Sequence, residues 1–232
     1  MTYTVDNAII MAAGLSSRLL PLSLKKHKAM FEVNGEILIE RQIKQLKDAG
    51  INEIIIVAGH LIEQFYYLND KFDITIIENK EYQTRNNTSS LHAAKSHIGN
   101  SYICSCDNYF KINPFEKHVE GSYYSVLFSP DHTDEWCVQV DSNGFISNVA
   151  IGGSNQWYMM GHAFWAKPFS EKFMEILERN YDDSYVRETV WEGLLATNLD
   201  KLKIQIRRYN HNDIYEIDSI EDFEKINILL KG

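Results

Sequence analysis

Cysteine is scarce in this chain: Cys104, Cys106 and Cys137 are the only three in 232 residues. They are odd in number and lack C-x-x-C spacing, which excludes a disulfide framework and a thiolate metal knuckle. All three are expected as small buried residues in strands. There are only four prolines, and the 12 glycines are scattered. No Pro/Gly/Ser-rich linker divides the chain, so a single domain over 1–232 is expected. Long apolar runs are missing as well. Runs such as Ile54 to Ala58 are too short to span a bilayer. The first ten residues hold no basic segment leading into an apolar core, so secretion is not expected and the cytoplasm is the expected location. A formal net charge of −9 excludes a general nucleic-acid or anionic-membrane binder, which needs a basic face. Internal repeats and low-complexity segments are also absent.

What is present suits a packed core, with 44% hydrophobic and 12% aromatic residues. Ala29 to Val33 reads as a short strand turned by Asn34-Gly35 into a helix over Glu36 to Ala49, with Ile39, Ile43 and Leu46 at helical spacing. Strands at Glu53 to Ala58 and Ile74 to Glu78 flank a helix near Ile62 to Asn69. This β-α-β order predicts a doubly wound parallel sheet with its ligand at the carboxyl ends of the strands. A polar loop from Tyr82 precedes a helix capped by Thr88 or Ser89 and running to about His97, followed by a strand over Ser101 to Cys106. From Ser122 the pattern predicts an antiparallel insertion: Tyr123 to Phe128, Cys137 to Val140, Phe145 to Ile151 and Met159 to Ala166. Helices over Ser170 to Asn180 and Tyr185 to Thr197 precede a strand near Ile204 to Tyr209. Ser219 and Asp222 stand at capping-box spacing before a terminal helix.

Chemistry concentrates in two places. The first is Ala8-Ile9-Ile10-Met11-Ala12-Ala13-Gly14-Leu15-Ser16-Ser17-Arg18, with Pro21 and Lys28 beyond it. A strand running into small residues leaves successive backbone N–H groups for an anion, and a helix starting near Ser16 or Ser17 would add its positive end. Arg18 offers a fork of donors, while Lys25, Lys26 and Lys28 offer point charges. The spacing is neither a Walker A nor G-x-G-x-x-G. The second place is Asp107, at the carboxyl end of a buried strand, where a hard oxygen ligand facing a phosphate loop suits Mg²⁺. Asp218 fits either a helix cap or a second ligand for the same ion. Asn86 and Asn87 fit either a turn or a nucleobase. Glu135, Trp136, Trp157, Tyr158, Trp165, Trp191, Glu192, Tyr215 and Glu216 individually read as core or surface, and together as the aromatic and acidic faces that enclose a quaternary ammonium.

The string Ala12-Ala13-Gly14-Leu15-Ser16-Ser17-Arg18-Leu19-Leu20-Pro21, followed by His27-Lys28, resembles the nucleotidyltransferase signature A-A-G-x-G-[ST]-R-x-x-P and its later P-K. Taken with Asn86-Asn87, Asp107-Asn108-Tyr109, Glu135-Trp136 and Tyr215-Glu216-Ile217-Asp218-Ser219, the chain resembles the bacterial choline-phosphate cytidylyltransferases nearly end to end. The resemblance implies a Rossmann-like, GT-A-type fold: a mixed, mostly parallel sheet flanked by helices, with a small antiparallel insertion. Residues 1–110 would bind nucleotide and 111–232 the acceptor. It implies CTP and phosphocholine as substrates and Mg²⁺ as cofactor, with a choline kinase supplying the acceptor by fusion or pathway coupling.

Ala12, Ala13, Gly14, Leu15, Ser16, Ser17, Arg18, Lys28, Asn86, Asn87, Ser89 and Asp107 would bind the nucleotide. Lys28, Arg18 and Asp107 would be catalytic, with Asp107 and Asp218 on the metal. Trp136, Trp191 and Tyr215 would wall the acceptor, with Glu135, Glu192 and Glu216 supplying negative charge. Three departures stand out. Ser16 replaces a glycine and would stiffen the loop. His27 replaces a proline and would leave Lys28 less constrained. Ser105 stands where an acidic residue is common. Another alcohol phosphate or a sugar 1-phosphate is the rival acceptor, and a nucleotide-sensing module without catalysis is the rival class.

Overall fold

The computed structural model describes residues 1–230. Its frame is a seven-stranded sheet in the order Gln205–Arg208, Tyr123–Val140, Ile146–Trp165, Ser101–Ser105, Asn7–Ala12, Glu53–Ala58, Thr75–Glu78. Asn7–Ala12 is central to its parallel part, running parallel to both neighbours. Ile146–Trp165 is antiparallel to Ser101–Ser105 and to Tyr123–Val140. The sheet is therefore mixed and mostly parallel, as the sequence predicts. Among the described residues no helix is long and apolar enough to cross a membrane.

The continuous apolar runs of the central strands follow from cover on both faces. Ala8, Ile10, Ile54, Ile56, Tyr102 and Cys104 point to one side, where Ile39, Ile43 and Leu46 of the helix Leu38–Asp48 meet them. Ile9, Ile55 and Ile103 point to the other, against Phe169, Phe173 and Leu177 of the helix Lys167–Arg179 and the indoles of Trp165 and Trp191. All three cysteines are free and buried.

Several elements differ from expectation for local reasons. Ala29 to Val33 is not one strand: Lys28–Met30 is a 3₁₀ turn, and only Glu32–Val33 pairs, with Glu36–Ile37. The His27 ring accepts the Ala29 N–H at 3.1 Å and so initiates that turn. Neither Thr88 nor Ser89 caps a helix. The Thr88 hydroxyl donates to the Val186 carbonyl and the Ser89 hydroxyl to the Asn86 carbonyl, and the helix is short, Thr88–Ala93.

The helix expected over 185–197 is two, Ser184–Glu188 and Trp191–Ala196. Thr189 and Val190 between them are extended, and the Trp191 N–H is taken by Asn87 Oδ1 at 2.7 Å. The insertion is a single long hairpin with several bulges, its two strands running through 129–136 and 152–158, which lie between the four separate strands expected. The Ser219–Asp222 capping box is present.

Candidate active site

The central strand ends at Ala12, and Met11 is in register with Ser105 of its neighbour, so Gly14 and Asp107 emerge side by side at the carboxyl ends. His60 N–H donates to the Ala13 carbonyl, and the His60 ring bonds the Ser23 carbonyl at 2.9 Å, pinning both ends of the loop. Ser16 takes a left-handed φ of 52°, a conformation glycine adopts without strain and serine less readily. A Cβ added at Gly14 would meet no protein atom within 4 Å, so the fold itself does not demand glycine there. The helix expected from Ser16 or Ser17 is a single 3₁₀ turn, Ser17–Leu19, which carries little dipole. Anion binding therefore falls to backbone N–H groups and cations. Of the cations, Lys25 and Lys26 are exposed and line neither of the two cavities at the strand ends, whereas Lys28 lines both and Arg18 the smaller one.

His27 does the opposite of what its departure from proline suggests. It is buried, packs edge-on against Phe65 at 4.9 Å, and donates its backbone N–H to Gln64 Oε1. Burial, and then the Lys28 charge beside it, push the imidazole down to about 3, so it is neutral. Lys28 is thus aimed by a fixed 3₁₀ turn. Its ammonium bridges Asp107 and Asp218 Oδ1, the latter at 3.0 Å. Burial opposes that charge, but Asp107 and Asp218 more than offset it and hold Lys28 protonated well above the ordinary lysine range.

Asp218 reaches the site because Ile214–Glu216 pairs antiparallel with Asn108–Phe110, Glu216 opposite Asn108, and because Ile217 N–H donates to the Asp107 carbonyl. The cap is taken by Ser219, which leaves the Asp218 carboxylate free to face Lys28 and, at 2.5 Å, Arg18. Asp107, Glu216 and Asp218 bring oxygens within 4.8 Å of one another. Burial, then Asp107 and Asp218, hold the Glu216 carboxyl well above its usual range. Asp107 Oδ1 is buried without a partner. Three clustered carboxylates with one orphaned buried oxygen fit a hard divalent cation. Glu216 joins a set the sequence limited to two.

A cleft of about 600 Å³ runs from this cluster past Ala13, Gly14, Tyr82, Gln83, Asn86, Ser90 and Arg187. Ser89 does not line it: the side chain is buried between Asn86 O and Asn79, and Ser90 stands at the wall instead. Asn86 spends its amide inside the protein, with Nδ2 donating to the Glu188 carbonyl and Oδ1 accepting from Asn87 N–H. Tyr82 is a wall the sequence reading missed. The signal was Gly59, where an added Cβ would fall 2.7 Å from the Tyr82 ring.

A second cavity of about 440 Å³ shares Gly14, Ser17, Lys28 and Asp107 with the first and extends past Tyr124, Glu135, Trp136, Met159, Val190, Glu192 and Glu216. Trp191 is not among them. Its indole is core, stacked on Tyr124 at 5.1 Å and edge-on to Trp165 at 5.1 Å, so Tyr124 presents the aromatic face and Trp191 backs it. Trp165 is likewise core, whereas Trp157 packs on Phe128. The Tyr124 hydroxyl donates to Glu192 Oε1 at 2.8 Å, and burial pushes the Glu192 carboxyl up to about 7. Tyr215 and Tyr158 line an adjoining chamber of about 470 Å³ that shares Glu135 and Glu216 with this cavity.

A phosphate loop facing an acidic cluster across adjacent strand ends, with two adjoining cavities that share it, is the working arrangement of a nucleotidyltransferase. The chain belongs to the MobA-like NTP transferase family, whose domain matches residues 8–131. It is 34% identical over 225 residues, covering 97% of this chain and 98% of the relative, to a choline-phosphate cytidylyltransferase of Streptococcus pneumoniae. To a 2-aminoethylphosphonate cytidylyltransferase of Lancefieldella rimae it is 31% identical, covering 93% and 89%. A solved structure of the CTP:phosphocholine cytidylyltransferase from Streptococcus pneumoniae superposes with a TM-score of 0.93, covering 98% of this chain and 100% of that one at 34% identity.

Proposed function

We propose that the protein transfers CMP from CTP to phosphocholine, giving CDP-choline and pyrophosphate. The observation that carries this reading is the pair of cavities meeting at Lys28, one ending in the phosphate loop and the other walled by Trp136, Tyr124 and carboxylates. The acceptor phosphate oxygen attacks the α-phosphorus in line. The bond from that phosphorus to the bridging oxygen breaks, and pyrophosphate leaves with the electron pair. A phosphate monoester is already anionic near neutral pH, so no general base is needed. Arg18 and the Gly14–Ser17 backbone hold the departing phosphates, and Lys28 turns its ammonium from the carboxylates to the α-phosphoryl oxygens. Asp107, Asp218 and Glu216 would hold Mg²⁺, which would supply neutralisation of phosphate charge. Residues 1–110 provide most of the nucleotide site and 111–232 most of the acceptor site. The same reading places the reaction in the cytoplasm, with a choline kinase supplying the phosphocholine.

For the trimethylammonium group, Trp136 and Tyr124 supply faces, and Glu135 and Glu192 supply charge. One cation–π contact contributes about 0.5–2 kcal/mol. Trp136→Ala is therefore expected to raise the KM for phosphocholine roughly ten-fold and to leave the KM for CTP unchanged in steady-state assays. An unchanged acceptor KM would remove Trp136 from the cage.

Glu192 adds a pH dependence. Its folded value, about 7, lies above the ordinary 4.5. The group is therefore neutral below that pH and gains its charge as pH rises through it. The kcat/KM for phosphocholine is expected to rise across this range, beyond the acceptor's own ionisation near roughly 6. Glu192→Gln should remove the upper part of the rise in a pH series, and an identical profile in that variant would contradict the assignment.

A further inference from the structure

Behind the nucleotide cleft lies a cluster of charged and aromatic side chains that the reaction does not use directly. Arg85 lies on the cleft wall, yet its side chain is only 7% exposed, its donors spent on protein groups. Its Nε donates to Glu81 Oε1 at 2.9 Å, and one terminal nitrogen donates to the Tyr181 carbonyl at 2.6 Å. The guanidinium lies 4.0 Å from the centroid of the Tyr181 ring. That ring also stacks on His92 at 3.9 Å, and its hydroxyl donates to Glu81 Oε2 at 2.5 Å. The contact from Arg85 to Asp182, at 3.3 Å, ends on a carboxylate that is 98% exposed and adds little.

This cluster ties two segments of distant sequence together at one end of the cleft. Beyond it the same two segments are joined by Asn86 N–H to the Arg187 carbonyl, Asn86 Nδ2 to the Glu188 carbonyl, and the Thr88 hydroxyl to the Val186 carbonyl. Tyr82 and Gln83 face the cleft from one segment, and Arg187 and Glu188 face it from the other. The position of one wall relative to the other is therefore set by Arg85 together with these three bonds. On the acceptor side, Trp191 beside Glu192 has a further anchor of its own in the core, besides its N–H bond to Asn87.

We propose that Arg85 is a positioning residue for the nucleotide, setting the width of its cleft through Glu81 and Tyr181 without touching the ligand. The inference builds on the reading of the larger cleft as the nucleotide site. A planar fork is what the geometry needs: one side chain bonds a carboxylate and a carbonyl while lying over a ring, which a lysine cannot do fully.

The test uses the full chain with Mg²⁺. Arg85→Met should weaken CTP binding roughly ten-fold by titration calorimetry and raise the KM for CTP in step, with kcat and the phosphocholine KM within about two-fold of the parent, because misplacing a wall acts on binding geometry. Arg85→Lys should restore part of the affinity. Tyr181→Phe, which keeps the ring and loses only the hydroxyl bond, should give a smaller loss. A residue that merely held the fold would lower the melting temperature and the active fraction while leaving the affinity of the folded fraction unchanged. That outcome, or parental CTP affinity in both Arg85→Met and Arg85→Lys, would overturn the proposal. If the parent binds another nucleoside triphosphate in preference to CTP, the base assignment falls, and the same comparison on that nucleotide still decides the role of Arg85.

Discussion

Asp107→Ala is expected to lower kcat by about a thousand-fold or more, equivalent to about 4 kcal/mol of transition-state stabilisation. The size follows from position. Asp107 is 6% exposed, sits at the strand end beside the phosphate loop, and offers an oxygen with no protein partner to the carboxylate cluster. The substitution leaves Lys28 paired to Asp218, so the fold should persist, and circular dichroism would confirm it. Manganese binding followed by electron paramagnetic resonance in the presence of CTP should fall with turnover. Retained turnover would remove the metal assignment.

Lys28→Met should cost roughly a hundred- to a thousand-fold in kcat, the usual effect of deleting one preorganised donor aimed at developing charge. Without ligand, the ammonium is held between Asp107 and Asp218 by a turn that the neutral His27 ring initiates. The carboxylates left behind are then less well neutralised, so metal affinity should rise as turnover falls. Rapid-quench measurement of a single turnover with saturating CTP would check this. A variant that lost only CTP affinity and kept its single-turnover rate would show that Lys28 holds ground-state phosphate alone.

The sheet was legible because its strands must be apolar on both faces, and Ile9, Ile10, Ile55 and Ile56 declare that in any context. The phosphate loop and Asp107 were legible because strand ends in such sheets are where ligands bind. What sequence could not show was direction. Trp136 and Trp191 look alike in a string of letters, yet one faces a cavity and the other is core. Tyr124 was hidden among buried strand residues, and its role depends on a stacking partner nearly 70 positions away, as the 68-residue separation from Glu192 also shows. His27 was misjudged because proline and histidine were compared by backbone stiffness alone. The imidazole fixes the turn by accepting the Ala29 N–H and by packing on Phe65, contacts supplied by tertiary structure. The split at Thr189–Val190 is similar: helical periodicity continued, but Asn87 from another segment captured the Trp191 N–H.

The central claim is transfer of CMP to phosphocholine, and pyrophosphate release measures it most directly. The assay crosses CTP, UTP, GTP, ATP and dTTP with phosphocholine, phosphoethanolamine, 2-aminoethylphosphonate, glycerol phosphate and glucose 1-phosphate, all with Mg²⁺. The account predicts turnover with CTP and phosphocholine well above every other pair. Preference for glucose 1-phosphate would contradict the ammonium cage, and preference for 2-aminoethylphosphonate its selection of a trimethylammonium group, while both would keep the phosphate loop and carboxylates. Tight CTP binding with no pyrophosphate from any pair would contradict catalysis itself.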